Sequence, residues 1–220
     1  MSSPTLTDKV SKMICQDILT GELKPGQKTC GCRAKREIQR RCLPYSRSIG
    51  SAIVEQIRQT RAAKSCWVAP VCKHELNDLY ESLRMTASFL LKKAIMTGDE
   101  NWELDVLTSY HKLSRVNLDQ GFCWREWEER HYHFLEALLE GANSHNLFTF
   151  FRDILNQIKR YHYFAMQVLG TNNQGHCNID EQEMIMKLSL SKNSDDAVQF
   201  LDRYLLKSLQ CVETAIDNPL

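Results

Sequence analysis

From Val71 onward the apolar positions recur every three or four residues. Leu76, Leu79, Leu83, Ala87, Leu90, Leu91 and Ala94 predict a helix over 75–96, stopped by Gly98. Trp102, Leu104, Leu107, Tyr110, His111 and Leu113 predict a second over 100–116. Phe122, Trp124, Trp127, His131, Phe134, Leu135 and Leu138 predict a third over 121–140, and an aromatic-rich stretch predicts a fourth over 143–168. After the polar loop 170–176, two more follow over 180–191 and 195–216, with Asp180 and Asp195 as N-caps. Six amphipathic helices in succession predict an antiparallel bundle.

The first seventy residues follow another pattern. Leu6, Val10, Met13, Ile14 and Leu19 predict a helix over 5–20, closed by the turn Gly21-Glu-Leu-Lys-Pro-Gly26. The stretch 35–54 predicts two short helices split at Leu43-Pro44-Tyr45. Ile38, Leu43, Tyr45, Ile49, Ile53 and Ile57 face inward. Arg36, Arg40, Arg41, Ser46, Arg47, Ser48 and Ser51 are left outside. A cationic, hydroxyl-rich outer surface on a helix pair suits the major groove of DNA. The same pattern describes a helical hairpin whose charges face water. Cys66-Trp67-Val68 is a β-prone run stopped by Pro70, read as one strand of a small hairpin with Lys64 near its tip. The chain thus divides into a winged helix-turn-helix over 1–70 and an all-helical unit over 71–220, a mainly α protein.

Charge sharpens that division. The net charge is only +1, yet residues 1–70 hold 13 Lys/Arg against 5 Asp/Glu, a balance of +8 that the remainder nearly cancels. A basic head on an acidic body points to an anionic partner, double-stranded DNA, for the head alone. The composition, 43% apolar and 25% charged, is that of a soluble globular protein. No apolar run is long enough to cross a bilayer and the start lacks a signal-peptide pattern, so no membrane partner and a cytoplasmic location are expected. Nine cysteines raise zinc and disulfides. The closest sets, Cys30-Gly-Cys32 with Cys42, and Cys66, Cys72 and His74, lack paired C-x-x-C spacing, so reduced thiols are the expectation. No phosphate loop, paired carboxylates or nucleophile–base set stands out, which argues against an enzyme.

The order of these parts resembles the GntR family of bacterial transcription regulators, in the subfamily with a FadR-type ligand-binding domain, called FCD. Ile18-Leu-Thr-Gly21-Glu-Leu23-Lys-Pro25-Gly26 resembles the family's "I-x-x-G-x-L-x-P-G". Arg36-Glu37-Ile38 resembles "R-E-L", and Tyr45-Ser46-Arg47-Ser48 resembles "V-S-R-T/S" at the head of the recognition helix. Lys64 to Val71 resembles the wing tip and exit strand, and Glu75-Leu-Asn-Asp-Leu-Tyr-Glu81 the first FCD helix. The resemblance implies a homodimer on a palindromic operator. Ser46, Arg47, Ser48 and Ser51 would read or brace bases; Arg36, Arg40, Arg41 and Lys64 would hold phosphates or the minor groove. Two departures stand out. Pro25 lies farther from Ser46-Arg47 than in the family pattern, and the second arginine of "V-R-E-A-L" is replaced by Gly50 or Ser51.

Many FCD bundles hold a divalent metal with an Asp, a His four residues later and two further His. The matching positions here are His131, Leu135, Gln182 and Tyr204. Leu cannot ligate, and Gln and Tyr suit such ions poorly, so the usual metal site is expected to be lost and no cofactor is expected. His131, Leu135, Gln182 and Tyr204 would instead line a site for a neutral or weakly polar small-molecule effector, or fill the space as core. Arg84 stands one step round the helix from the family's acid-binding arginine and is counted with these four as an effector-binding residue. The row Phe148, Phe150, Phe151, Tyr161, Tyr163 and Phe164 reads as core and dimer contact, and Glu126, Glu128, Glu129 and Arg130 as a solvated face. The competing reading is a drifted relative, a ligand-sensing or protein-interaction module that no longer reads DNA.

Overall fold

The structure, a computed structural model, describes residues 17, 23, 26, 27, 58–60, 66–116, 124–169 and 178–217. Two short strands, β1 (Arg58–Thr60) and β2 (Cys66–Val68), form an antiparallel hairpin in the register Arg58↔Val68, Gln59↔Trp67 and Thr60↔Cys66. Backbone bonds on Val68 extend it: Gly26 N–H donates to Val68 O (3.0 Å), and Val68 N–H donates to Gln27 O (2.8 Å). Gly26 holds φ +76°, a conformation that glycine adopts without a Cβ penalty. Gly26-Gln27 and Val68, distant in sequence, are thereby joined.

Six helices follow among the described residues: α1 (Lys73–Thr97), α2 (Glu100–Ser114), α3 (Trp124–Glu140), α4 (His145–Leu169), α5 (Ile179–Leu190) and α6 (Ser194–Asp217). Each lies within three residues of its expected limits. Helix α1 is the central member, touching α6, α4, α3 and α5. Its buried stripe is the expected row, Leu76, Leu79, Leu83, Ala87, Leu90, Leu91 and Ala94, with Tyr80, Thr86 and Ile95 added. Helix α2 packs on α3 and α5, and α5 on α6. The caps differ from expectation. Asn178 caps α5 by accepting from Asp180 N–H (3.1 Å), and Asn193 Oδ1 accepts from Asp196 N–H (3.4 Å) at the start of α6. Asp180 and Asp195 sit inside the first turns, where carboxylates still favour the positive end of the helix dipole.

One indole locks two turns. Trp102 donates Nε1–H to Ala137 O (3.1 Å) at the end of α3. A Cβ on Gly98 would lie 2.2 Å from the Trp102 ring, and one on Gly141 2.7 Å from it. Both turns need glycine because the ring occupies the space of a side chain. Thr97 Oγ1 closes the arrangement by donating to Gly141 O (2.8 Å).

Candidate functional site

The residues assigned to DNA contact, Arg36, Arg40, Arg41, Ser46, Arg47, Ser48, Ser51 and Lys64, lie outside the described residues. So does the helix expected over 5–20, apart from a helical position at Asp17. What the structure gives is the path from the hairpin to the bundle. Val68 and Ala69 are buried, Pro70 is exposed, and the chain enters α1 at Cys72. That entry is held from α4. Tyr161 Oη accepts from Cys72 N–H (3.4 Å) and donates to Glu75 Oε2 (2.6 Å); Arg160 Nη2 donates to the same carboxylate oxygen (2.6 Å). Burial, reinforced by the bond to Glu75, pushes the Tyr161 hydroxyl up to about 12. Arg160 is almost wholly enclosed, and its Nε and Nη1 have no hydrogen-bond partner. A buried, half-satisfied guanidinium is costly unless its one carboxylate stays in place.

All four interior residues singled out from the sequence are buried. Helices α3 and α6 bring two of them together: His131 Nε2 and Tyr204 Oη form a hydrogen bond of 2.7 Å. The imidazole also stacks on Trp127, with centroids 4.7 Å apart and planes at 11°. Leu135 lies one turn after His131 and shares its face. Gln182, on α5, has no exposed surface, and neither Oε1 nor Nε2 has a hydrogen-bond partner. An unpartnered buried amide is an unusual expense for a core. These residues do not fit the metal site implied by the FCD resemblance. His131 Nε2 is engaged by Tyr204, Leu135 has no donor atom, and no group of three His, Cys, Asp or Glu stands together among the described residues.

Arg84 stands elsewhere. Its guanidinium forks onto Asp202 of α6, Nε to Oδ1 at 2.7 Å and Nη2 to Oδ2 at 2.8 Å. That bond holds its pKa above the usual guanidinium value. Arg84, assigned to the effector site from the sequence, thus also braces α1 against α6.

A second polar cluster escaped the sequence reading. Both ring nitrogens of His162 are bonded, Nε2 to Tyr80 Oη and Nδ1 to Tyr132 Oη, each at 2.7 Å. Tyr80 Oη also meets Ser208 Oγ (2.8 Å), and Tyr132 Oη donates to Glu128 Oε1 (3.1 Å). The set ties α1, α3, α4 and α6 together. Burial raises both tyrosine hydroxyls well above their ordinary value. Glu128 is thus a partly buried acceptor, unlike its exposed neighbours Glu126 and Glu129. A tyrosine inside an otherwise aliphatic stripe, Tyr80, was the one signal that pointed here. Of the aromatic row on α4, Phe151 and Tyr161 are core, while Phe150 is half exposed.

No family model matches the chain. Two curated proteins are similar over most of their lengths. The uncharacterized HTH-type transcriptional regulator BphR of Paraburkholderia xenovorans is 22% identical over 94% of this chain and 85% of its own. The HTH-type transcriptional repressor GlaR of Escherichia coli is 23% identical over 91% of this chain and 92% of its own. Among solved structures, E. coli McbR/YncC matches with TM-score 0.72 and 14% identity over 95% of this chain and 98% of that one. A crystal structure of a putative GntR transcriptional regulator from Rhodococcus sp. RHA1 matches with TM-score 0.68 and 15% identity over 94% and 97%. The matches span the basic head as well as the bundle, and the named relatives are regulators rather than enzymes. This chain is accordingly a relative of the HTH-type transcriptional regulators and carries the fold of the GntR group.

Proposed function

We propose that the chain is a dimeric DNA-binding transcription regulator whose helical body senses a small molecule. The observation that carries this reading is similarity to HTH-type regulators along nearly the whole chain, and the +8 balance of residues 1–70 supports it. In this reading residues 1–70 are the DNA-reading unit and residues from 71 onward the effector and dimer unit. The helix beginning near Ser46 enters the major groove. Arg47, Ser46, Ser48 and Ser51 contact bases, and Arg36, Arg40, Arg41 and Lys64 contact phosphates or the minor groove. The apolar side chains Met85, Phe89 and Met96 stand exposed at helical intervals on α1, a face suited to pairing two copies about a two-fold axis. The effector site is the interior around His131, Leu135, Gln182 and Tyr204. The unpaired Gln182 amide selects a ligand with its own hydrogen-bond donor and acceptor. Occupancy shifts the bundle between states that hold the head differently, and the Cys72–Tyr161 contact fixes the start of α1, two residues after the head ends.

The test is selection of duplexes from a random library by the full chain, followed by affinity measurement with Arg47→Ala. A palindromic preference that weakens about tenfold in the variant supports the reading. The replacement of the family's second arginine by Gly50 or Ser51 favours the alternative, a module that has lost sequence reading. That alternative requires unselective binding with a shallow salt slope in both proteins.

A further inference from the structure

Helices α2, α3 and α4 border an open groove of about 850 Å3, which shares no residue with the interior site. Charge lines it. Two of its three carboxylates are already engaged: Glu126 by Arg130, and Glu136 by Arg152 at 3.3 Å. Lys112, Arg115 and Lys159 remain against Glu129 alone, with His111 and His133 on the same walls.

Lys159 is the informative member. A surface lysine normally extends its ammonium into water. This one is half-buried, with Nζ 4.5 Å from the centre of the Tyr132 ring. Its hydrogen bond goes to the neutral Asn156 Oδ1 at 3.0 Å. Among the described residues no carboxylate pairs with it directly, so donor capacity on the ammonium is unused. Burial pulls its pKa down, against the more distant pull of Glu128 and Glu136. A half-buried cation short of protein acceptors is stabilised by an anion entering the cavity. A cationic guest would worsen its position, and a neutral one would leave the charge uncompensated.

We propose that this groove is an anion site, separate from the interior effector pocket, that takes a small phosphate- or carboxylate-bearing molecule on Lys159 inside and on Lys112 and Arg115 at the exposed end of α2. The inference goes beyond the function proposed above. Two neighbours connect the site to the rest of the fold. Tyr132, on its wall, bonds His162 in the core, and Lys159 directly precedes the Arg160–Tyr161 pair that holds the entry to α1.

The test is calorimetric titration of the full-length protein with inorganic phosphate and, separately, with succinate, at fixed ionic strength in chloride. Saturable binding of either anion is expected, and which one binds distinguishes a phosphate-bearing from a carboxylate-bearing guest. Lys159→Met and Arg115→Gln should each weaken it about tenfold, while Lys159→Arg retains it. Arg115 is exposed, so its substitution does not threaten the fold. The proposal is overturned if neither anion binds saturably. It is equally overturned if both variants bind like the parent, since phosphate held by the N-terminal arginines would ignore both changes.

Discussion

His131 Nε2 and Tyr204 Oη lie 2.7 Å apart, so α3 and α6 are joined by a hydrogen bond at two positions where the FCD resemblance implies metal ligands. Both side chains are buried. Tyr204→Phe leaves the imidazole nitrogen without its partner and should destabilise the protein by about 1–3 kcal/mol. Urea unfolding measures this. A loss below about 0.5 kcal/mol would mean that the bond contributes nothing net.

Gln182 makes the opposite forecast. Its amide is fully enclosed with both polar atoms unpartnered. Gln182→Met keeps the volume and removes the orphaned groups, so the ligand-free protein should gain about 1–2 kcal/mol. The same change should abolish any effector-dependent shift in Tm. Stabilisation with the response intact would detach the amide from ligand recognition.

Gly141→Ala places a Cβ within 2.7 Å of the Trp102 ring. The expected cost is about 3 kcal/mol, because the ring is fixed by its bond to Ala137 O and by burial. In a Trp102→Leu background the same substitution should cost much less. A double-mutant cycle reads the coupling directly, and additive losses would show that the turn, not the indole, sets the requirement for glycine.

The Tyr161 hydroxyl, pushed up to about 12 from 10.0 by burial and Glu75, gives a pH dependence with a definite sign. A folded-state pKa above the unfolded value contributes stability that is complete below pH 10.0 and is lost as pH rises towards 12. Phenolate absorbance should show late-titrating tyrosines, Tyr80 and Tyr132 among them, and Tyr161→Phe should remove one of these late steps, together with a shallower fall in stability across that interval. Loss of a step at the ordinary tyrosine value instead, about 10, would place Tyr161 in water.

The helices were legible because each buries one stripe at regular spacing, and periodicity survives without knowledge of partners. Leu76 through Ala94 shows this on α1. Caps were less legible: Asp180 and Asp195 favour the first turn as strongly as the cap, so the acidic signal spreads over several positions. Burial of His131 and Leu135 could be inferred from their place on an apolar face, whereas only the FCD resemblance places Gln182 and Tyr204 inside. The His131–Tyr204 bond could not, since it depends on how α3 meets α6. The same holds for Arg84, whose partner Asp202 is distant in sequence; the Glu128–Tyr132 bond, four residues apart on one helix, is local and escaped the sequence reading. The Tyr80–His162–Tyr132 cluster draws single residues from three helices, and no local pattern announces such a meeting.

The indole of Trp102 reaches both Gly98 and Gly141, two corners of the chain more than forty residues apart. Sequence drift at these sites is therefore shared. A bulkier residue at either corner is admissible only with a smaller one at 102, and loss of the ring removes the constraint on both corners together. Across any set of diverged copies, the three positions should change as a triplet or stay as they are.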